Sequence, residues 1–393
     1  MLENNNTAKI LGMEEVIVKK VEENENGLKI YIELPRKEHK CPCCGETTNH
    51  VHDYREQTIK DIPLGRPTVL HLRKRRYVCQ KCGKRFYEKN SFLTRYYHIT
   101  NRAIHSIIDD LRKTVSVFEV AKRYNVSSTT ATRYFDKVKY TCRSLPYVLS
   151  VDEFKGNSGG EKYNAIIVDP KNKKVLDILP DRYENHLITY LSSFSNRDNV
   201  KYFITDMNPH FKRAAEISLP KATIVADKYH VIRQVNWALE RVRKKEQEKL
   251  SDKFRKYFKR SRSLMFKPYK DLSDDEKDRL ALMFEIAPRL GRAYYLKNKF
   301  LGVMHSKNSK EGRKKLANWL ILAEYENMDE FKNCITAYRN WYSEILNSLD
   351  VPWTNGYIEG CNNKTKVLKR VCFGMQNFER FRNRILHMRT QKN

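Results

Sequence analysis

Val148-Leu149-Ser150-Val151-Asp152-Glu153-Phe154 is the stretch on which the fold turns. It is an apolar run of strand length, short for a helix, and it runs into an acid. The same pattern recurs downstream. Lys162-Tyr163-Asn164-Ala165-Ile166-Ile167-Val168-Asp169 reads as a second strand, and Lys174 to Leu179 as a third. Residues 183–194 fit a helix. Val200-Lys201-Tyr202-Phe203-Ile204-Thr205-Asp206 and Ala222-Thr223-Ile224-Val225-Ala226-Asp227 read as a fourth and a fifth strand, each again closing on an acid.

Three strands followed by alternating helix and strand is the order of an RNase H-like mixed sheet. Strand ends are rigid, and neighbouring ends can bring two carboxylates within about 4 Å of each other. Hard oxygen donors held that way suit Mg²⁺ or Mn²⁺. One Asp at a strand end is more often a turn former or helix cap. Asp152 and Asp206 together, in this strand order, point to metal. A third acid is expected at Glu359, within Trp353-Thr354-Asn355-Gly356-Tyr357-Ile358-Glu359-Gly360-Cys361-Asn362-Asn363-Lys364-Thr365-Lys366. Taken as a helix, this stretch sets Asn355, Glu359, Asn363, Lys366 and Arg370 along one polar face at steps of three and four. An acid followed by amides and cations could hold a metal and then the phosphates beside it. An exposed, salt-bridged helix would carry the same pattern.

Working back toward the N-terminus, Ser116 to Val138 reads as a helix-turn-helix. Val117, Val120, Ala121 and Tyr124 form one apolar face. Asn125-Val126-Ser127 breaks the pattern, and Ser127 is a good N-cap for the next helix. Ala131, Tyr134, Phe135 and Val138 bury that helix, leaving Ser128, Thr129, Thr132 and Arg133 outward near its start, where a recognition helix meets bases and phosphates. An ordinary helical hairpin would look similar. Ala103 to Leu111 would complete a three-helix unit.

Further back lie Cys41-Pro42-Cys43-Cys44-Gly45 and Cys79-Gln80-Lys81-Cys82-Gly83. Each is C-x-x-C followed by Gly, a turn from which two thiolates can reach one ion. Cys41, Cys44, Cys79 and Cys82 would close a tetrahedral, structural zinc site, with Cys43, His50 and His52 as possible substitutes. Strand-like segments between the pairs, such as Thr68 to Leu72, resemble a zinc ribbon. In Arg73-Lys74-Arg75-Arg76, the arginines Arg73, Arg75 and Arg76 would suit phosphate contacts. Cys142, Cys334, Cys361 and Cys372 are isolated and read as small core residues.

The composition agrees. The 393 residues include 40% hydrophobic side chains, and the formal charge is +29 with pI about 9.6. A chain that size holds two or three domains, and a charge that large calls for a polyanion, nucleic acid being the usual one. The surplus is local: residues 241–270 carry thirteen basic and three acidic side chains. Residues 228–350 look almost wholly helical, and 355–388 look like a terminal helix and a basic tail. No window is apolar enough for a membrane span, and no secretory signal is seen.

At these residues the chain resembles the ISL-three family of bacterial insertion-sequence transposases, of the DDE superfamily. The motifs are the cysteine pairs, the helix-turn-helix, Val151-Asp152-Glu153, Thr205-Asp206-Met207, Ala226-Asp227-Lys228-Tyr229-His230, Asn355-Gly356 through Glu359 to Asn362-Asn363, and Phe373-Gly374-Met375 with Phe381-Arg382-Asn383-Arg384. The resemblance implies a catalytic triad of Asp152, Asp206 and Glu359 holding Mg²⁺ or Mn²⁺, with Asp227 and His230 close by. It implies an α/β RNase H-like core interrupted by an all-α insertion and preceded by a zinc ribbon and a helix-turn-helix. The expected boundaries are 1–95 for the N-terminal segment and ribbon, 96–143 for the helix-turn-helix, 144–234 for the first part of the core, 235–350 for the insertion, and 351–393 for the last core helix and tail. Lys366 and Arg370 would hold phosphates. The expected partners are terminal inverted repeats and target DNA, with no membrane, and a homodimer or larger assembly on DNA ends. The setting would be the bacterial cytoplasm, on the nucleoid. A DNA-binding regulator with a non-catalytic core, or a structure-selective metal nuclease, are the alternatives.

Overall fold

The computed structural model describes residues 8–389 apart from 10 and 26. The chain divides into two compact units. One runs to Tyr140 and includes Thr365–Met375 and the residues from Glu379 onward; the other is Thr141–Lys364 with Gln376–Phe378.

The first unit opens with β1 (Ile17–Asn24), β2 (Gly27–Glu33), β3 (His39–Lys40), β4 (Thr47–Thr48), β5 (Val51–Lys60), β6 (Thr68–Val78) and β7 (Arg85–Tyr87). Their main sheet has the order β1-β2-β6-β5, with β7 also on β6; the β2–β6 pair is parallel and the others antiparallel. The alternation of Ile30 and Ile32 on β2 with Leu70 and Leu72 on β6 puts one apolar face inward. Gly27 is required at the turn into β2: its φ is +131°, and a Cβ there would lie 2.2 Å from the Pro67 carbonyl oxygen. The strands between the cysteines predict a ribbon. They do not predict that the N-terminal strands join the same sheet, as they do here.

Three helices follow: α1 (Asn101–Asp110), α2 (Val117–Arg123) and α3 (Ser128–Phe135). Thr100, Ser116 and Ser127 cap them with side-chain oxygens. Ile107, Leu111, Val120, Ala131 and Phe135 share one core. The buried Asp110 ties the helices together through Arg123 at 2.5 Å and the Tyr124 hydroxyl at 3.1 Å.

The second unit carries β8 (Val148–Phe154), β9 (Asn164–Asp169), β10 (Lys174–Leu179), α4 (Glu184–Ser192), β11 (Tyr202–Thr205), α5 (Pro209–Ser218) and β12 (Thr223–Ala226). The sheet order is β10-β9-β8-β11-β12, antiparallel from β10 to β8 and parallel from β8 to β12. Leu149, Val151, Ile167 and Phe203 pack on one face under α4 and α5. Val148, Ile204 and Val225 face the other way, against Val351. Helix α6 (Lys228–Glu248) then runs unbroken through residue 235 into a helical mass: α7 (Asp252–Arg260), α8 (Asp274–Ile286), α9 (Pro288–Met304), α10 (Ser309–Tyr325), α11 (Asp329–Asn340) and α12 (Tyr342–Leu349). Its core is largely aliphatic with an aromatic group at its heart, Phe300 stacked on Tyr338 at 4.3 Å, and it reaches back to Ala226 at the end of β12.

The last stretch is not one helix and a tail. It forms α13 (Gly356–Val371) and α14 (Phe378–Arg389). The break falls where Phe373 and Gly374 take φ of +52° and +94°, values that end a helix. Within the first unit, α14 packs on the three-helix group. Arg384 is buried and caps its carbonyls, donating to those of Leu111, Lys113 and Val115. No helix among the described residues is long and apolar enough to cross a membrane.

Candidate active site and metal centres

Asp152 and Asp206 meet because of strand register. Val151 on β8 sits opposite Thr205 on β11, so the next residue on each strand is an acid, side by side at one edge of the parallel pair. Asp152 is buried and Asp206 half-buried. Burial, and then the charge of Asp206, push the Asp152 carboxyl up to about 7. Burial likewise raises Asp206, against the pull of His230. Two acids so placed resist ionising together, and a divalent cation would relieve that cost.

Asp227 stands at the end of β12 and is almost wholly buried. One oxygen accepts from the His230 backbone N–H, capping α6, and from His230 Nδ1 at 2.8 Å. The other accepts from the Asn355 N–H at 3.0 Å. Burial opposes a charged His230, but the bond to Asp227 and the fields of Asp227 and Asp206 outweigh it and raise its pKa. Asp227 is thus tied into the scaffold, holding His230 toward the two acids.

Helix α13 brings the third acid's neighbours to the same place. Asn355, just before it, receives the Ser150 hydroxyl of β8, and Asn362 Nδ2 donates to Asp152 Oδ2 at 3.1 Å. Glu359 lies four residues after Asn355 and three before Asn362, on the helix face those two define. It is half-buried. Among the described residues the carboxylates of Asp152, Asp206 and Glu359 do not lie within 4.8 Å of one another; only the four cysteines do. The structure therefore brings two of the three acids together and sets the third on a helix anchored to them. Helical spacing alone sets Asn363 on the working face; in the structure Asn363 is exposed, and Asn362 makes the contact. The Asn362 Oδ1 atom is buried with no hydrogen-bond partner, a free oxygen donor beside the acids.

The cysteine centre is compact. Cys41 Sγ is 3.6 Å from Cys82 Sγ, and Cys44 Sγ is 3.5 Å from Cys79 Sγ. Four thiolates around zinc at about 2.3 Å would stand roughly 3.8 Å apart, so the donor set fits the ion. Both knuckles have one geometry, with the Gly45 and Gly83 N–H groups closing on the Cys41 and Cys79 carbonyls. Cys43 is exposed and outside the cluster, and His52 pairs with Asp53.

The expected phosphate contacts differ among themselves. Arg73 is exposed over the Tyr54 ring, and Arg76 is half-buried against Asp53. Arg75 is buried, paired with Glu33 and Glu88 and donating to the Leu34 carbonyl at 2.5 Å, so its guanidinium faces the interior. Ser128, Thr129 and Arg133 are exposed on α3, and Thr132 is half-buried. Lys366 and Arg370 are exposed on α13.

Comparison with known proteins bears on this arrangement. Residues 149–385 match a family model described as a transposase, of the ISL-three group of DDE transposases. Residues 37–82 match the zinc-finger of the transposases IS204, IS1001, IS1096 and IS1165. The chain is 25% identical over 366 residues, 90% of its length and 89% of the relative's, to the transposase for insertion sequence element IS1001 of Bordetella parapertussis. Over 118 residues, 30% of this chain and 26% of the relative, it is 30% identical to the transposase for insertion sequence element IS1557 of Mycobacterium tuberculosis.

Proposed function

Because the chain belongs to the ISL-three family of transposases and carries that family's zinc ribbon, we propose that it binds the terminal inverted repeats of an insertion sequence and cuts and joins DNA with Asp152, Asp206 and Glu359. The observation that carries this reading is the register that sets Asp152 beside Asp206, with the Glu359 helix bonded to Asp152 through Asn362.

In this reading the sheet of the second unit is an RNase H-like core, 144–234 with the start of α13, and residues 235–350 are its insertion; the stretch from Thr365, expected with the core, groups mostly with the first unit. The strand order and the mix of antiparallel and parallel pairs support that assignment. The cysteine cluster holds zinc as a structural ion. Helices α1 to α3 act as the helix-turn-helix, with Ser128, Thr129, Thr132 and Arg133 toward DNA; their exposure supports it. Arg73 and Arg76, and Lys366 and Arg370, contact phosphates.

Asp152, Asp206 and Glu359 would hold Mg²⁺ or Mn²⁺, which when bound activates a hydroxyl nucleophile and offsets charge on the leaving oxygen. Asn362 orients Asp152 through its amide. Asp227 accepts from His230 Nδ1 and sets the aim of the ring, whose positive charge lowers the cost of ionising the two Asp carboxyls. Cutting two ends together calls for a dimer or larger assembly on DNA, working on the nucleoid.

The test uses purified full-length protein and a duplex bearing the DNA that borders its gene. Wild type should nick and join it with Mg²⁺, whereas Asp152→Asn, Asp206→Asn and Glu359→Gln should bind it and leave it whole. A regulator would bind without nicking, and a resolvase-type nuclease would cut without joining. Normal cleavage by Glu359→Gln would remove Glu359 from the site.

A further inference from the structure

Helix α6 leaves the acidic site carrying a stripe of half-exposed aromatic and cationic side chains. Tyr229, Arg233 and Trp237 lie at steps of four, one stripe along the helix. The opposite side, Val231, Val235, Ala238, Leu239 and Val242, is fully buried. Tyr229 is 54% exposed and Trp237 46% exposed. The Arg233 guanidinium lies between them, 5.8 Å from the Tyr229 ring centroid and 4.7 Å from that of Trp237. Its Nε is buried and has no hydrogen-bond partner. The stripe starts beside His230, and the positive charge of Arg233 is felt at Asp206. An aromatic–cation–aromatic row at the mouth of a phosphate-cutting site matches a nucleic-acid strand, because rings stack on bases and the guanidinium meets the phosphate between them.

We propose that Tyr229, Arg233 and Trp237 form a seat for an unpaired DNA strand next to the scissile phosphate, with a base stacked on Trp237 and the adjoining phosphate held by Arg233. This rests on the reading of Asp152 and Asp206 as the cutting site. Duplex DNA offers its backbone but keeps its base faces stacked, so the two exposed rings favour an unpaired partner. The seat therefore gives the protein a preference for ends that are frayed or forked at the cut.

The experiment uses full-length protein and a forked oligonucleotide duplex with 2-aminopurine in its unpaired arm, first without added Mg²⁺. Wild type should quench the 2-aminopurine. Trp237→Ala should abolish the quench and weaken binding of the fork by roughly ten-fold, while a fully paired duplex of the same sequence binds as before. Trp237→Phe should restore part of the quench, and Arg233→Gln should weaken fork binding with less salt dependence. Trp237 is exposed, so its truncation should leave the thermal melt unchanged. An unaltered quench in Trp237→Ala, or equal loss of fork and duplex binding, would overturn the proposal. Adding Mg²⁺ to the same samples reads cleavage separately, so a seat without a cutting site and a cutting site without a seat give different results.

Discussion

Replacing Asp152 by Asn should make the metal-free protein more stable at pH 8. The carboxyl is raised from its ordinary 3.8 to about 7 by burial and by Asp206. Its charged form is therefore worse off folded than unfolded. The cost is nil when both states are protonated, below about pH 4, and grows as pH rises toward 7, so native stability falls across that window. A shift of about three units sets a ceiling near 4 kcal/mol. Because Asp206 shares the repulsion and His230 answers part of it, about 1–2 kcal/mol is expected, or roughly 2–6 °C in melting temperature. The exchange costs few hydrogen bonds. The new amide oxygen would still accept from the Glu153 N–H, and a turned Asn362 amide would present its unpartnered Oδ1 to the new NH₂. Melts of both proteins from pH 4 to 8 should diverge with pH, and Mg²⁺ should raise the wild type more than the variant. A variant less stable than wild type at pH 8, or a gap that does not change with pH, would refute the reasoning.

Arg75→Ala should destabilise the first unit by about 3–5 kcal/mol, because Glu88 would be left buried without its cation, Glu33 keeping Lys19; Arg73→Ala should instead leave the melt alone and weaken DNA binding with a smaller salt slope. Urea unfolding and fluorescence anisotropy separate the two. Cys79→Ser should lower the zinc content of purified protein and unfold the ribbon, read by metal analysis and by proteolysis between residues 37 and 82, with chelator reproducing it in the wild type.

The strands of the second unit were legible because four of the five are apolar runs that meet an acid, and observed β8 has the bounds read from sequence. The pairing of β2 with β6 was not, because parallel pairing between distant segments leaves no local pattern. Arg75 illustrates a related limit. Leu72 and Arg75 are both buried although they face opposite sides of β6: the buried side switches along the strand, from Leu70 and Leu72 to Arg75 and Tyr77, and Arg75 is paired there with Glu88. A run of basic residues cannot say which of them faces inward. The site was half visible: the acids at Asp152, Asp206 and Asp227 could be named, but the Asn362 contact comes from helix phase and packing. The cysteine spacing, by contrast, is local chemistry and points to all four sulfurs of the cluster.

The most direct measurement is a crystal of the full-length protein on its terminal-repeat DNA, grown with Mn²⁺ and recorded at the manganese edge. Anomalous peaks should lie about 2.0–2.2 Å from oxygens of Asp152 and Asp206, with Glu359 as a further ligand. Manganese bound elsewhere, or bound to the two aspartates with Glu359 turned away from metal and DNA, would contradict a three-carboxylate site.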